Sequence, residues 1–195
     1  MNGHDLIRFA KAVRRLDLGD GETITTSGAN VIFADIITVI RADGPLVTGL
    51  ALLGLVVMVL GVVGLNRRAA AVLLATMTGT VAMVATCALM GLKVNFLDFV
   101  ALPITLGLGV DYAINLAHRQ HQGDLTAAAD PFEPLRTSGS AVFLCSLTTI
   151  IGYGSLLASQ NLAIRGFGLA ALIGEITCLL AALILVPAIV SFTRR

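Results

Sequence analysis

An ionisable side chain in the middle of an apolar run limits this chain more than any other feature. Between Leu97 and Ala117 the formal charges are Asp98 at the entrance and Asp111 inside, in a segment about the ~20 residues a helix needs to cross a bilayer. A carboxylate at that depth costs about 2.5–3.5 kcal/mol on insertion scales. It must face protein or water rather than lipid, which makes it a functional-site candidate by default.

The remainder of the chain supports a membrane setting. Hydrophobic residues make up 56% and charged residues 13%, Trp is absent, and the mean hydropathy is +0.91, far more apolar than a soluble domain of this length. Apolar runs at 45–65, 69–91, 97–117, 140–159 and 167–193 predict five spanning helices over residues 45–193. Buried helices of a soluble protein would leave a polar face for solvent, and these runs have none. The expected fold class is therefore an all-α polytopic membrane protein: a five-helix transmembrane bundle with a short extramembrane N-terminal α/β tail. The net charge of +1 gives no reason to expect nucleic acid as a partner. Cys87, Cys145 and Cys178 fall inside the apolar runs without paired spacing, so neither a disulfide framework nor a metal site is expected.

Residues 1–44 form the tail. Asp5, Arg8, Lys11, Arg14, Arg15 and Asp17 interrupt what would have to be an unbroken apolar stretch in a secretory signal. Leu6, Phe9, Ala10, Val13 and Leu16 recur at helical spacing and predict a helix over 4–16, ended by Gly19-Asp-Gly. The β-branched alternation of 22–27 predicts a short strand. A second amphipathic helix is expected over 30–41, on Val31, Ile32, Asp35, Ile36, Val39 and Ile40. So little chain cannot bury a large core, and the tail is expected to be the end of a larger extramembrane domain.

Basic residues orient the bundle. Arg67, Arg68, Arg119, Arg136, Arg194 and Arg195 lie on one side, against Lys93 and Arg165 on the other, six against two. The positive-inside rule then places the tail outside and the C-terminus in the cytoplasm. Arg41, just before the first span, argues mildly the other way. The one long connection, 118–139, is expected to be broken at Gly123 and Pro131, with Phe132, Leu135 and Arg136 lying along the inner surface. His118 and His121 are spaced i, i+3 but lack a third ligand, so they are read as solvated loop residues.

Polar residues inside the runs form stripes. Asp111, Asn115 and His118 follow i, i+4 and i+7, one face that could carry water and protons. Ser146, Thr149 and Tyr153 follow i, i+3 and i+7 on the next span, and Glu175 lies mid-membrane on the last, beside Thr177 and Cys178. Hydroxyls in membrane helices readily bond back to their own helix carbonyls; a carboxylate needs a partner or water. Gly54, Gly61, Gly64, Gly107, Gly109, Gly152, Gly154, Gly166, Gly168 and Gly174 permit close helix approach, and Pro103 removes a backbone bond before Asp111.

Phe99-Val-Ala-Leu-Pro-Ile-Thr-Leu-Gly-Leu-Gly-Val-Asp-Tyr-Ala-Ile-Asn, followed by Leu135-Arg-Thr-Ser-Gly-Ser-Ala-Val and Cys145-Ser-Leu-Thr-Thr-Ile-Ile-Gly-Tyr-Gly, resembles the resistance-nodulation-division (RND) superfamily. The closest branch is that of the MMPL-type and hopanoid-associated exporters. The resemblance covers residues 25–193. It implies one end of a two-half transporter, each half having one helix, a periplasmic domain and five further helices. Arg194-Arg195, soon after the last span, favours the C-terminal half. The opening helix, most of the periplasmic domain and the other half have no counterpart here, so the resemblance implies a need for a partner half or a homo-oligomer.

For matching positions the resemblance implies that Asp111 and Tyr112 form a proton-relay pair, which Ser146 or Thr149 could join. Asn115 and Glu175 are further candidates on residue chemistry alone. The implied activity is export of hydrophobic or lipid-like molecules across the bacterial inner membrane, driven by the proton gradient with no other cofactor. A non-transporting, sterol-sensing-like sensor or scaffold shares such a core and is the alternative, as is an inactive fragment. No Ser-His-Asp set, metal cluster or phosphate loop points to an enzyme.

Overall fold

The computed structural model describes residues 3–17, 23–26, 28–92, 96–125 and 133–192. Gly19 to Glu22, Ser27, Lys93, Pro131, Phe132, Arg194 and Arg195, all used above, lie outside them, and the side chains of Asp98, Arg119, His121, Leu135 and Arg136 are likewise not described. Six helices and two short strands follow in order: α1 Gly3–Val13, β1 Arg15–Asp17, β2 Thr23–Thr25, α2 Ala29–Val63, α3 Arg67–Leu89, α4 Phe96–Leu125, α5 Glu133–Leu156 and α6 Leu162–Phe192. The chain divides into two compact units, Met1–Leu50 and Ala51–Arg195.

In the first unit, α1 ends at Val13 rather than at Leu16. Arg15–Asp17 instead pairs antiparallel with Thr23–Thr25, setting Leu16 opposite Ile24, because a β-branched neighbour offers the backbone a ladder that competes with the last helical turn. Leu6, Ile7 and Ala10 of α1 pack on Val31 and Ala34 of α2. The Arg14 guanidinium bonds the Asp35 carboxylate, and the Thr26 hydroxyl donates to the Val13 carbonyl. Ile32 and Val39, expected on a buried face, are exposed.

The second amphipathic helix and the first span are one element. α2 runs unbroken through Gly44 and Pro45, so the expected boundary at residue 44 is not a helix boundary. Proline fixes φ near the helical value and deletes only its own donor, a loss tolerated in membrane helices. α2 stops at Gly64, whose φ of +79° suits the left-handed region. α3 ends in the same way at Gly91, φ +63°, where Leu92 N donates to Cys87 O at 3.1 Å and Gly91 N to Ala88 O at 3.0 Å, a complete Schellman motif. α6 begins on a side-chain cap, with Asn161 Oδ1 accepting from Ala163 N at 2.9 Å.

In the second unit α6 is the central helix. It packs against α3, α4 and α5, while α4 also meets α3 and α5. Leu55 and Val59 of α2 join Val72, Val110, Leu116 and Val186 in the larger apolar cluster, and Met83, Ala101, Ala171 and Ile173 form a second. Leu53, Val57, Leu74, Val81, Ile151 and Ile184 point outward, as they should in a bundle whose solvent is lipid.

Among the described residues, four helices are long and apolar enough to cross a membrane: Ala29–Val63, Arg67–Leu89, and the segments Phe99–His118 and Leu162–Val190. The expected fourth span falls on α5, whose apolar stretch among the described side chains is Val142–Leu156. The connection expected over 118–139 is also shorter. α4 continues through Gly123 to Leu125 and α5 starts at Glu133, since one glycine costs a helix only about 1 kcal/mol.

Candidate functional site

Successive residues of a helix point about 100° apart, and here that step turns Tyr112 into the bundle and Asp111 out of it. On α4 the inward stripe is Thr105, Gly109, Tyr112 and Leu116, all buried. The outward one is Gly107, Asp111, Asn115 and His118, all exposed. The expected polar stripe therefore exists, on the side of α4 turned away from α6. Asn115 Nδ2 donates to the Asp111 carbonyl at 2.9 Å, a local bond that fixes the amide along the helix.

Tyr112 turns inward and its hydroxyl donates to Glu175 Oε1 on α6. Both residues are buried, at 3% and 1% exposure. Glu175 is thus one of the largest fully enclosed side chains in the protein. Its other oxygen, Oε2, has no hydrogen-bond partner. Ser146 of α5 is completely buried, and its Oγ is likewise without a partner. Ser146 and Thr149 flank the Tyr112 phenol, but Thr149 Oγ1 gives its proton back to the Cys145 carbonyl at 3.1 Å.

The helices reach this spacing through small residues. A Cβ on Gly79 would lie 2.7 Å from Cys178 Cα, and one on Gly109 would lie 3.0 Å from Cys178 Sγ. A Cβ on Gly174, next to Glu175, would come within 2.5 Å of Thr105 Oγ1. On the α5 side, a Cβ on Gly168 would meet Leu156 Cβ at 2.7 Å, and Tyr153 packs edge-on against Phe167 at 6.1 Å between centroids. Of the glycines singled out by sequence, Gly109, Gly168 and Gly174 make close approaches, whereas Gly54, Gly61, Gly107 and Gly152 border open space and Gly64 ends a helix. Gly79 belongs with the first group, and its place opposite Cys178 is set by the packing of α3 on α6, which no local sequence pattern shows.

Of the candidate residues, the fold brings together Tyr112, Glu175, Ser146 and Thr149, and it sets Asp111 and Asn115 on the opposite side of α4. Most other hydroxyls satisfy themselves locally. Thr76, Thr80 and Thr86 donate to carbonyls four residues back, at 2.9, 2.9 and 2.7 Å, and Thr177 donates to Gly174 O at 3.1 Å. Ser146 is the exception that marks a site. Glu175 was legible as the one charged residue between Gly166 and Thr193, but nothing in the sequence pairs it with Tyr112, 63 positions away.

A protein-family model described as the MMPL family matches residues 4–195. No curated protein and no solved structure gives a significant match.

Proposed function

We propose, from the premise that this chain belongs to the MMPL family, that it is part of a proton-driven secondary transporter exporting hydrophobic or lipid-like molecules across the bacterial inner membrane. The observation that carries this reading is Asp111, an acid at mid-span on an exposed helix face with Asn115 one turn on. In hydrocarbon such a face needs a protein surface or water against it. A facing half of the transporter supplies that surface, and the acid then exchanges protons with water entering along the stripe. Each proton crossing a 100 mV potential releases about 2.3 kcal/mol, enough over a few protons to drive a helix rearrangement.

In this reading α5 also spans the membrane, as the fourth of five spans. Its 24 residues make a helix about 36 Å long, against a hydrocarbon core of ~30 Å. The tail lies in the periplasm and the C-terminus in the cytoplasm, supported by the six-to-two distribution of Lys and Arg. The test is proton-coupled export by the complex of this chain and its partner half in vesicles with an imposed pH gradient. Asp111→Asn keeps size and hydrogen bonding while removing titration, and it abolishes export. Export at the wild-type rate overturns the transport role of Asp111, and a complex indifferent to the gradient favours a sensor or scaffold instead.

A further inference from the structure

The Tyr112–Glu175 pair lies on the other side of α4 from Asp111, and the reading above gives it no work. Glu175 is buried to 1% exposure. The groups that face it are neutral: the Tyr112 phenol from α4, Tyr153 from α5, whose ring feels the Glu175 carboxyl, and Cys178 one turn further on α6. α3 carries no charged residue after Arg68, α5 none from Thr137 to Leu156, and α6 none but Glu175 after Arg165. No Lys or Arg occurs in α4 before Arg119, and His118 lies on its exposed face. An ionised Glu175 would therefore be a buried charge with no counter-ion, the arrangement proteins avoid by neutralising the group. Oε1 is occupied by the tyrosine proton, which leaves Oε2 to carry any proton of its own. Oε2 and Ser146 Oγ are both fully enclosed and both lack a protein partner. Buried polar atoms without a partner call for one, commonly a water.

We propose that Glu175, Tyr112 and Ser146 form a second proton-binding site in this protein, separate from Asp111, with the proton held on Glu175 Oε2 and a buried water linking it to Ser146 Oγ. Uptake is a plain protonation: a proton arriving through the water adds to the carboxylate, and release reverses it, with the Tyr112 O–H bond unbroken throughout. The site ties α4, α5 and α6 together, so its protonation state bears on how the three helices pack. It deepens the transport reading, yet occupancy of the site requires neither a gradient nor a partner half.

Infrared spectroscopy of the purified full chain, in lipid and in H2O and D2O, tests this directly. The expected result is a carbonyl band of a protonated carboxylic acid near neutral pH that shifts in D2O, persists in Asp111→Asn and is lost when Glu175→Gln is added to Asp111→Asn. Absence of the band in Asp111→Asn, or its survival in the double variant, overturns the proposal. Should Glu175→Gln fail to fold, Tyr112→Phe in the Asp111→Asn background decides, because loss of the phenol donor shifts the band without removing it. An unshifted band there overturns the proposal as well. Loss of export in Asp111→Asn with an intact Glu175 band leaves both readings standing, whereas a Glu175 band in a protein that exports nothing retains the proton site and removes the transporter.

Discussion

At the scale of the residue, two neighbouring side chains are sent in opposite directions by one helical step. Asp111 faces outward, and Tyr112 donates inward to Glu175. Their substitutions should therefore fail differently. Asp111→Asn is expected to leave folding intact, because the side chain touches little of this bundle, and to abolish proton-coupled export. Tyr112→Phe removes a bond between helices and strands Glu175 Oε1. In membrane proteins such bonds contribute about 0.6 kcal/mol on average and about 1.7 at most, so thermal unfolding in detergent should show a small loss of stability, while export is reduced rather than lost. An equal effect of both substitutions on folding would mean that Asp111 also packs within this chain. The acid in mid-span was legible because its cost in lipid is independent of its neighbours. The Tyr112–Glu175 bond was not, because it depends on the rotation of α6 about its own axis, which no local pattern sets.

At the scale of the element, the bundle depends on four glycines, Gly79, Gly109, Gly168 and Gly174, at which one helix comes within reach of another. Gly79→Val is expected to push α3 away from α6, at a cost of about 1–3 kcal/mol for overpacking, seen as a lower unfolding temperature. Gly107→Ala, which borders open space, should leave that temperature unchanged or raise it slightly, since alanine favours the helix by up to about 1 kcal/mol. If both variants unfold alike, the α3–α6 contact is not limiting. Apolar length and glycine terminators made α3 readable to within a few residues. The continuity of α2 through Gly44 and Pro45 was not readable, because a proline marks a lost donor without saying whether the helix goes on.

At the scale of the whole molecule, orientation and association are the testable matters. In a background with Cys87, Cys145 and Cys178 replaced, Gln160→Cys, in the turn before α6, should react with an impermeant thiol reagent from the periplasm, and Gly123→Cys, near the end of α4, should not. The reverse pattern would invert the topology. The exposed stripe of Gly107, Asp111 and Asn115 leads to the expectation that the gently extracted chain migrates as a dimer or with a larger partner. A monodisperse monomer, stable in detergent, would show that the stripe is covered by nothing but solvent.

The close approach of α3 to α6 also bears on heredity. A side chain at position 79 meets Cys178 first at its Cα, 2.7 Å away, whereas one at 109 meets the sulfur first, 3.0 Å away. Trimming residue 178 can make room for the second but leaves the Cα that obstructs the first. A screen for suppressors should accordingly recover Cys178→Ala or Cys178→Gly as a rescuer of Gly109→Ala, and should return only true revertants to Gly at position 79 when the starting lesion is Gly79→Val.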